Sequence, residues 1–142
     1  MPSMKVLVMG TIVIVMMLAD GCQAEKPIGE PFKDLSEQMD VLAILQGSIG
    51  TDLQKNDWEG AGYMTRSMDS VLKICSKDFI KHQRLKEPFR EFYERKMERS
   101  IGSLLRSIRR RDSVAAKKSY EFLVKRCNSC HNENEVAERA HL

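Results

Sequence analysis

The chain has 142 residues, of which 42% are hydrophobic, 30% charged and 6% aromatic. This length fits one domain, and the apolar fraction excludes an intrinsically disordered chain. The 23 Lys and Arg residues against 20 Asp and Glu give a net charge of +3, too small for the basic field of a nucleic-acid-binding protein. Four cysteines are too few and too unevenly spaced for a disulfide scaffold.

The chain starts with a segment typical of export. One cation, Lys5, precedes a mostly apolar run over residues 6–18, and small residues lead from there into Cys22. These features describe a secretory signal peptide, because a membrane-spanning helix needs about 20 apolar residues. The sequence therefore predicts a signal peptide over residues 1–21 and a tether over residues 22–32.

The small residues before Cys22 resemble a bacterial lipoprotein signal, in which the cysteine is lipidated and becomes the new N-terminus. Ordinary signal cleavage near Gly21, which would leave Cys22 as a free thiol, is the alternative. The resemblance predicts a bacterial protein that is exported to the periplasm and anchored to a membrane by a lipid on Cys22.

After the tether, apolar residues recur three or four positions apart, which predicts helices, and no segment alternates like a strand. The first helix is expected over about residues 34–55. Its inner face comprises Leu35, Met39, Leu42, Gln46, Ile49 and Leu53. Asp57 then suits the N-cap of a second helix. The apolar stripe of that helix comprises Ala61, Met64, Met68, Val71, Leu72, Cys75 and Phe79.

A third helix is expected from Pro88, which suits a first turn, to the basic run Arg109–Arg111. Its apolar face comprises Phe89, Tyr93, Met97, Ile101, Leu104, Leu105 and Ile108. Asp112 or Ser113 can cap a fourth helix. The inner face of that helix comprises Val114, Tyr120, Leu123, Cys127 and Cys130. Four amphipathic helices with short connections predict an all-α fold, an antiparallel four-helix bundle, over residues 33–142.

The most specific motif is Cys127-Asn128-Ser129-Cys130-His131, a C-x-x-C-H segment of the kind that attaches c-type haem. Residues three apart lie on one helix face, so both sulfurs can reach one edge of a haem. His131 follows directly and can bind the iron as the proximal axial ligand, with its other ring nitrogen oriented by an acceptor. Export agrees with this interpretation, because c-type haem is attached outside the cytoplasm. The motif therefore predicts one covalent haem c.

Three other uses of these cysteines are weighed against haem attachment. A zinc site would need four ligands, drawn from Cys127, Cys130, His131, His141 and Cys75. A redox-active dithiol would lie near a βαβ pattern, which the sequence does not show. A disulfide between Cys127 and Cys130 would leave His131 without a role. Haem attachment accounts for the two cysteines and the histidine together.

Several residues outside the motif carry a resemblance to a known family. They are Asp112, Ala115, Ala116, Tyr120 and Leu123 before the motif, and the Asp57-Trp58-Glu59-Gly60-Ala61 entry to the second helix. With the motif on the last helix, they make the chain similar to the class II cytochromes c, the cytochrome c′ family, over about residues 33–135. The resemblance implies a haem within the bundle, near the end of the fourth helix, in an electron carrier rather than an enzyme.

The resemblance also implies two kinds of iron site. In cytochromes c′ proper, an apolar residue of the first helix blocks the sixth position, and the five-coordinate iron binds small gases. In their low-spin relatives a first-helix methionine is the sixth ligand. Met39 falls close to that place, so we expect Met39 as sixth ligand, with plain core packing as the alternative. His82, in the loop after the second helix, is another candidate for the sixth position.

The function expected from the sequence is therefore single-electron transfer by a monohaem cytochrome. Its expected partners are periplasmic or membrane-bound redox proteins, with no nucleic acid, and a homodimer stays open. One alternative is a five-coordinate haem protein that binds NO or CO. The other is a metal-binding lipoprotein without haem. The expected contact with the membrane is a lipid anchor on Cys22, with ordinary signal cleavage as the alternative.

Overall fold

The computed structural model describes residues 34–82 and 84–142, and this part of the chain is helical without any strand. The helices are α1 (Leu35–Gln54), α2 (Trp58–Asp78), α3 (Phe89–Phe92), a π-helical segment (Tyr93–Met97), α4 (Glu98–Arg109) and α5 (Ser113–Glu133). Because α3, the π-helical segment and α4 follow one another without a break, these residues contain the four helices that the sequence predicts. The all-α class is confirmed. The predicted signal peptide, the tether and Cys22 lie outside the described residues.

The same type of turn links α1 to α2 and α4 to α5. A residue with positive φ ends each first helix, Asn56 at 57° and Arg111 at 53°, and an aspartate follows it directly. Asp57 and Asp112 each accept a hydrogen bond at 2.9 Å from the backbone N–H three residues on. They are the N-caps that the sequence predicts. Links this short place each pair of helices side by side in opposite directions.

Two contacts show that α2 and the third helix also run in opposite directions. The N–H of Phe89 donates to the C=O of Phe79 at 3.4 Å, where α2 ends and α3 begins. Farther back along α2, Asp69 accepts a hydrogen bond at 2.7 Å from the hydroxyl of Tyr93. Successive helices therefore alternate in direction along the chain. As a result, the start of α1, the loop between α2 and α3, and the end of α5 lie at the same end of the molecule.

The core contains most of the residues on the predicted inner faces. The predicted residues that are half-buried at its edge include Leu53, Met64, Val71, Leu105, Cys127 and Cys130. On α1, Gln38 is buried at 1% exposure, whereas Met39 is half-buried at the edge of the core. On α5, Val114 is 64% exposed because it lies in the first turn, and Ala116 and Val124 are buried instead. The third helix was expected to be α-helical throughout and contains the π-helical segment. Among the described residues, no helix is both long and apolar enough to cross a membrane.

Candidate functional site

The C-x-x-C-H motif occupies the last turns of α5. The buried residues of α5 all lie before the motif, and they are Ala116, Tyr120, Leu123 and Val124. From residue 126 to residue 131, every residue is half-buried. The motif therefore lies on a helix face that is neither core nor open surface.

Cys127 and Cys130 lie one helical turn apart, and both pack against the edge of the hydrophobic core. Both are free thiols. Burial raises the pKa of the Cys127 thiol to about 12 and that of Cys130 to about 11. Both sulfurs are therefore protonated at neutral pH. A redox-active dithiol needs the opposite shift, because the thiolate is its nucleophile.

The imidazole of His131 is half-buried, and its Nδ1 lies 2.6 Å from the backbone C=O of Glu138. Because a carbonyl oxygen only accepts hydrogen bonds, Nδ1 must carry the proton in this contact. In the neutral ring, Nε2 is then left with its lone pair, and this is the tautomer that binds a metal through Nε2. The main chain beyond α5 thus supplies the kind of acceptor that metal-binding histidines use on their second nitrogen.

The chain reverses at the end of α5 and folds back along it. Glu135 has a φ of 58°, and the N–H of Val136 donates to the C=O of His131 at 2.8 Å. This bond closes a Schellman motif, with a glutamate where a glycine is usual. We call residues 136–142 the C-terminal strap.

Two amide side chains hold the far end of the C-terminal strap. Asn128 donates from Nδ2 to the C=O of Ala140 at 3.0 Å and accepts the N–H of Ala140 on Oδ1 at 2.8 Å. Gln46 of α1 donates from Nε2 to the C=O of His141 at 2.7 Å. Sequence reasoning missed the strap because apolar periodicity carries no signal for these contacts. The one hint in the sequence is an asparagine inside the motif.

The other middle residue of the motif, Ser129, contacts the π-helical segment. Its hydroxyl donates to the Glu133 carboxylate at 2.9 Å and lies 3.1 Å from the Nζ of Lys96. Lys96 also forms an ion pair with Glu133, and the hydrogen bond from Lys96 lowers the pKa of that carboxyl. Polar contacts therefore attach the end of α5 to the third helix.

Met39 lies at the same level of the molecule as Cys127. Gln46 of α1 donates to the hydroxyl of Tyr120 of α5, and this hydroxyl donates to the Gln46 C=O at 3.0 Å. Met39 precedes Gln46 by seven residues, and Cys127 follows Tyr120 by seven. At about 1.5 Å per residue on antiparallel helices, each lies about 10 Å from this contact in the same direction.

His82 also lies at the motif's end of the molecule. Its ring meets Phe79 edge-on with centroids 5.9 Å apart, and its Nε2 lies 4.0 Å from the carboxylate of Asp34, the N-cap of α1. The structure therefore gives His82 neighbours in the loop and at the start of α1. Within residues 34–82 and 84–142, no three His, Cys, Asp or Glu side chains are gathered as ligands for a metal ion.

Comparison of the chain with protein-family profiles, with curated proteins and with solved structures found no match.

Proposed function

We propose that the chain is a monohaem c-type cytochrome, an antiparallel four-helix bundle whose last helix carries haem c on Cys127 and Cys130. His131 is the proximal ligand in this proposal. The observation that carries it is the imidazole, which has a carbonyl on Nδ1 and a lone pair on Nε2, directly after two thiols on one helix face. When bound, the haem supplies a one-electron iron couple, so the chain carries single electrons and needs no substrate turnover.

The surface around the motif supports this proposal. A porphyrin is a large apolar plate, and it needs a helix face that the protein itself leaves partly uncovered. The last turns of α5 have half-buried residues and two uncharged thiols at the edge of the core. Such a face buries further apolar area when a flat ligand is attached to it, which favours the attached state.

Two buried donors also fit a haem, which carries two propionate carboxylates. The Nε2 of Gln38 and the Nε of Arg126 are buried and have no hydrogen-bond partner among the described residues. A buried donor without a partner costs about 1–3 kcal/mol, so such groups favour an acceptor. Arg126 directly precedes the motif. Gln38 is one residue from Met39 on α1, the helix that lies beside α5.

The proposal extends to the location of the protein on the evidence of residues 1–32 alone. We propose that the chain is exported in a bacterium and anchored through a lipid on Cys22, with periplasmic or membrane-bound redox proteins as partners. Cys22→Ser should then move the protein from the membrane fraction to the soluble fraction. Recovery of the variant with the membranes would contradict the anchor.

Mass spectrometry of the intact chain tests the haem directly. The full chain should be produced in a bacterial host with and without the cytochrome c maturation machinery. With the machinery, we expect a mass increase of roughly 616 Da over the processed polypeptide and any lipid, and haem staining that survives a denaturing gel. The double variant Cys127→Ser/Cys130→Ser should lose both signals.

Cys75→Ala is the matched control, because Cys75 is a buried thiol of α2 outside the motif. It should keep the haem. Absence of the mass increase in the unchanged chain would refute the proposal, provided that another c-type cytochrome matures in the same cells. The α-band of the pyridine haemochrome then distinguishes two thioether bonds from one.

A further inference from the structure

The C-terminal strap contacts the imidazole of His131 at Nδ1, the ring nitrogen that is not expected to bind iron. Its Glu138 C=O is the acceptor for Nδ1, and its Ala140 is held by the Asn128 side chain. We infer that the C-terminal strap fixes His131 in its iron-binding tautomer and that Asn128 is the residue that positions the strap. The purpose of this arrangement rests on the proposed function, whereas its geometry does not.

Asn128 suits this role because it both donates to and accepts from the same backbone residue. The two bonds to Ala140, at 3.0 Å and 2.8 Å, fix that residue in position and orientation. Glu138 is only two residues away, so its carbonyl has little freedom once Ala140 is held. Aspartate in place of Asn128 would keep the acceptor and lose the donor, leaving a carboxylate against the C=O of Ala140.

A second anchor holds the strap against α1. The Nε2 of Gln46 donates to the C=O of His141 and to the hydroxyl of Tyr120, so the buried amide is shared between the strap and α5. Ala140, which Asn128 holds, also packs against the edge of the core. The strap is therefore attached at three points, which are Glu138, Ala140 and His141.

The consequence for His131 is a preformed ligand. A free imidazole in water favours the proton on Nε2, which blocks metal binding at that nitrogen. A fixed carbonyl on Nδ1 reverses this preference, orients the ring and raises the basicity of the ligand. A more basic ligand stabilises the oxidised iron, so loss of the strap contact should shift the reduction potential of the haem-loaded chain to more positive values.

The tautomer can be measured in the full chain without haem, produced without the maturation machinery and labelled with 15N-histidine. Long-range 1H–15N correlation at a pH where the ring is neutral should place the His131 proton on Nδ1. The chain has three histidines, so His82→Gln and His141→Gln assign the signals. Asn128→Ala, Asn128→Asp and truncation after Val136 should each move most of the proton to Nε2.

Ser129→Ala is the matched control, because Ser129 is the neighbouring motif residue and contacts the third helix instead of the strap. It should keep the Nδ1 proton. An Nε2 proton in the unchanged chain, or an Nδ1 proton retained in Asn128→Ala, would overturn the inference. Circular dichroism confirms that each variant is helical.

The haem-loaded chain gives a second, independent measurement. The reduction potential should be more positive in Asn128→Ala than in the unchanged chain, and Ser129→Ala should leave it unchanged. Equal potentials in the two variants would also overturn the inference. If no haem attaches while the tautomer shifts as expected, the proposed function fails and the strap inference stands.

Discussion

The two halves of α5 are held in place by different forces. In the first half, Tyr120, Leu123 and Val124 are buried in the core. In the second half, every residue from 126 to 131 is half-buried, and Asn128 and Ser129 bind neighbouring segments through hydrogen bonds. The comparison teaches that burial holds only part of this helix in place. Its first half stabilises the fold through the core, and its second half, which carries the two thiols and the imidazole, is held at the edge of the core by hydrogen bonds to neighbouring segments.

Leu123→Ala tests whether the first half carries the stability. Leu123 is fully buried, so this variant should lose about 2–5 kcal/mol of unfolding free energy through lost burial and the cavity left behind. Cys127→Ala, one turn later at the edge of the core, should lose about 1 kcal/mol or less. Urea unfolding of the haem-free chain, followed by circular dichroism, measures both. Equal losses would mean that the two halves are packed alike.

Features that depend on neighbours along the chain could be predicted from the sequence, and features that depend on contacts between helices could not. The caps Asp57 and Asp112 and the three motif residues on α5 depend on neighbours in the chain, so their pattern is visible in the sequence. The burial of Gln38 instead of Met39 is a shift of one position, about 100° around α1. It depends on where the other helices lie, which periodicity along a single helix does not fix.

The C-terminal strap could not be predicted from the sequence either, because it also depends on contacts between segments. Its contacts join Asn128 to Ala140 and Gln46 to His141, and hydrogen bonds between segments leave no periodic pattern. The turn that starts it uses Glu135 at positive φ, where a glycine would have given a recognisable signal. The π-helical segment likewise follows an apolar pattern that fits an ordinary α-helix.

His131→Ala tests whether the second half serves function without stability. We expect the haem to stay covalently attached, because the thioether bonds involve only the cysteines, and the absorption spectrum to lose the signature of the proximal histidine. The unfolding free energy of the haem-free chain should change by about 1 kcal/mol or less, since one half-buried hydrogen bond is lost. His141→Ala is the control, because only the backbone of His141 is engaged. An unchanged spectrum in His131→Ala would refute the ligand assignment.

Met39→Leu tests the sixth ligand, because it keeps the volume of the side chain and removes the thioether. The iron should change from low-spin to high-spin, and the ferrous form should gain carbon monoxide binding. Met64→Leu, a half-buried methionine on α2, is the control and should leave the spectrum unchanged. A low-spin spectrum in Met39→Leu would mean that Met39 serves only in core packing. His82→Ala would then test the other candidate for the sixth ligand.

The smallest expected effect is a difference in how the folding stability of the haem-free and haem-loaded chains depends on alkaline pH. The pKa values of Cys127 and Cys130 are raised by burial to about 12 and about 11, above the ordinary value of 9.0. The unfolded chain therefore releases these protons first. The contribution of the two protonated thiols to the free energy of unfolding is fully present below about pH 9. It is lost as the pH rises towards the pKa values of the folded state, because the unfolded state then binds fewer protons than the folded state.

In the haem-loaded chain the same two sulfurs form thioethers and no longer ionise. Its urea midpoint should therefore fall less between about pH 8 and about pH 10.5 than the midpoint of the haem-free chain. The haem-free Cys127→Ser/Cys130→Ser variant should show the same shallower dependence. Burial also raises the pKa of Cys75 and of Tyr93, but both are present in all three proteins, so their contribution cancels in the comparison. Three parallel pH profiles would show that the second half of α5 does not hold its thiols in the protonated state by burial.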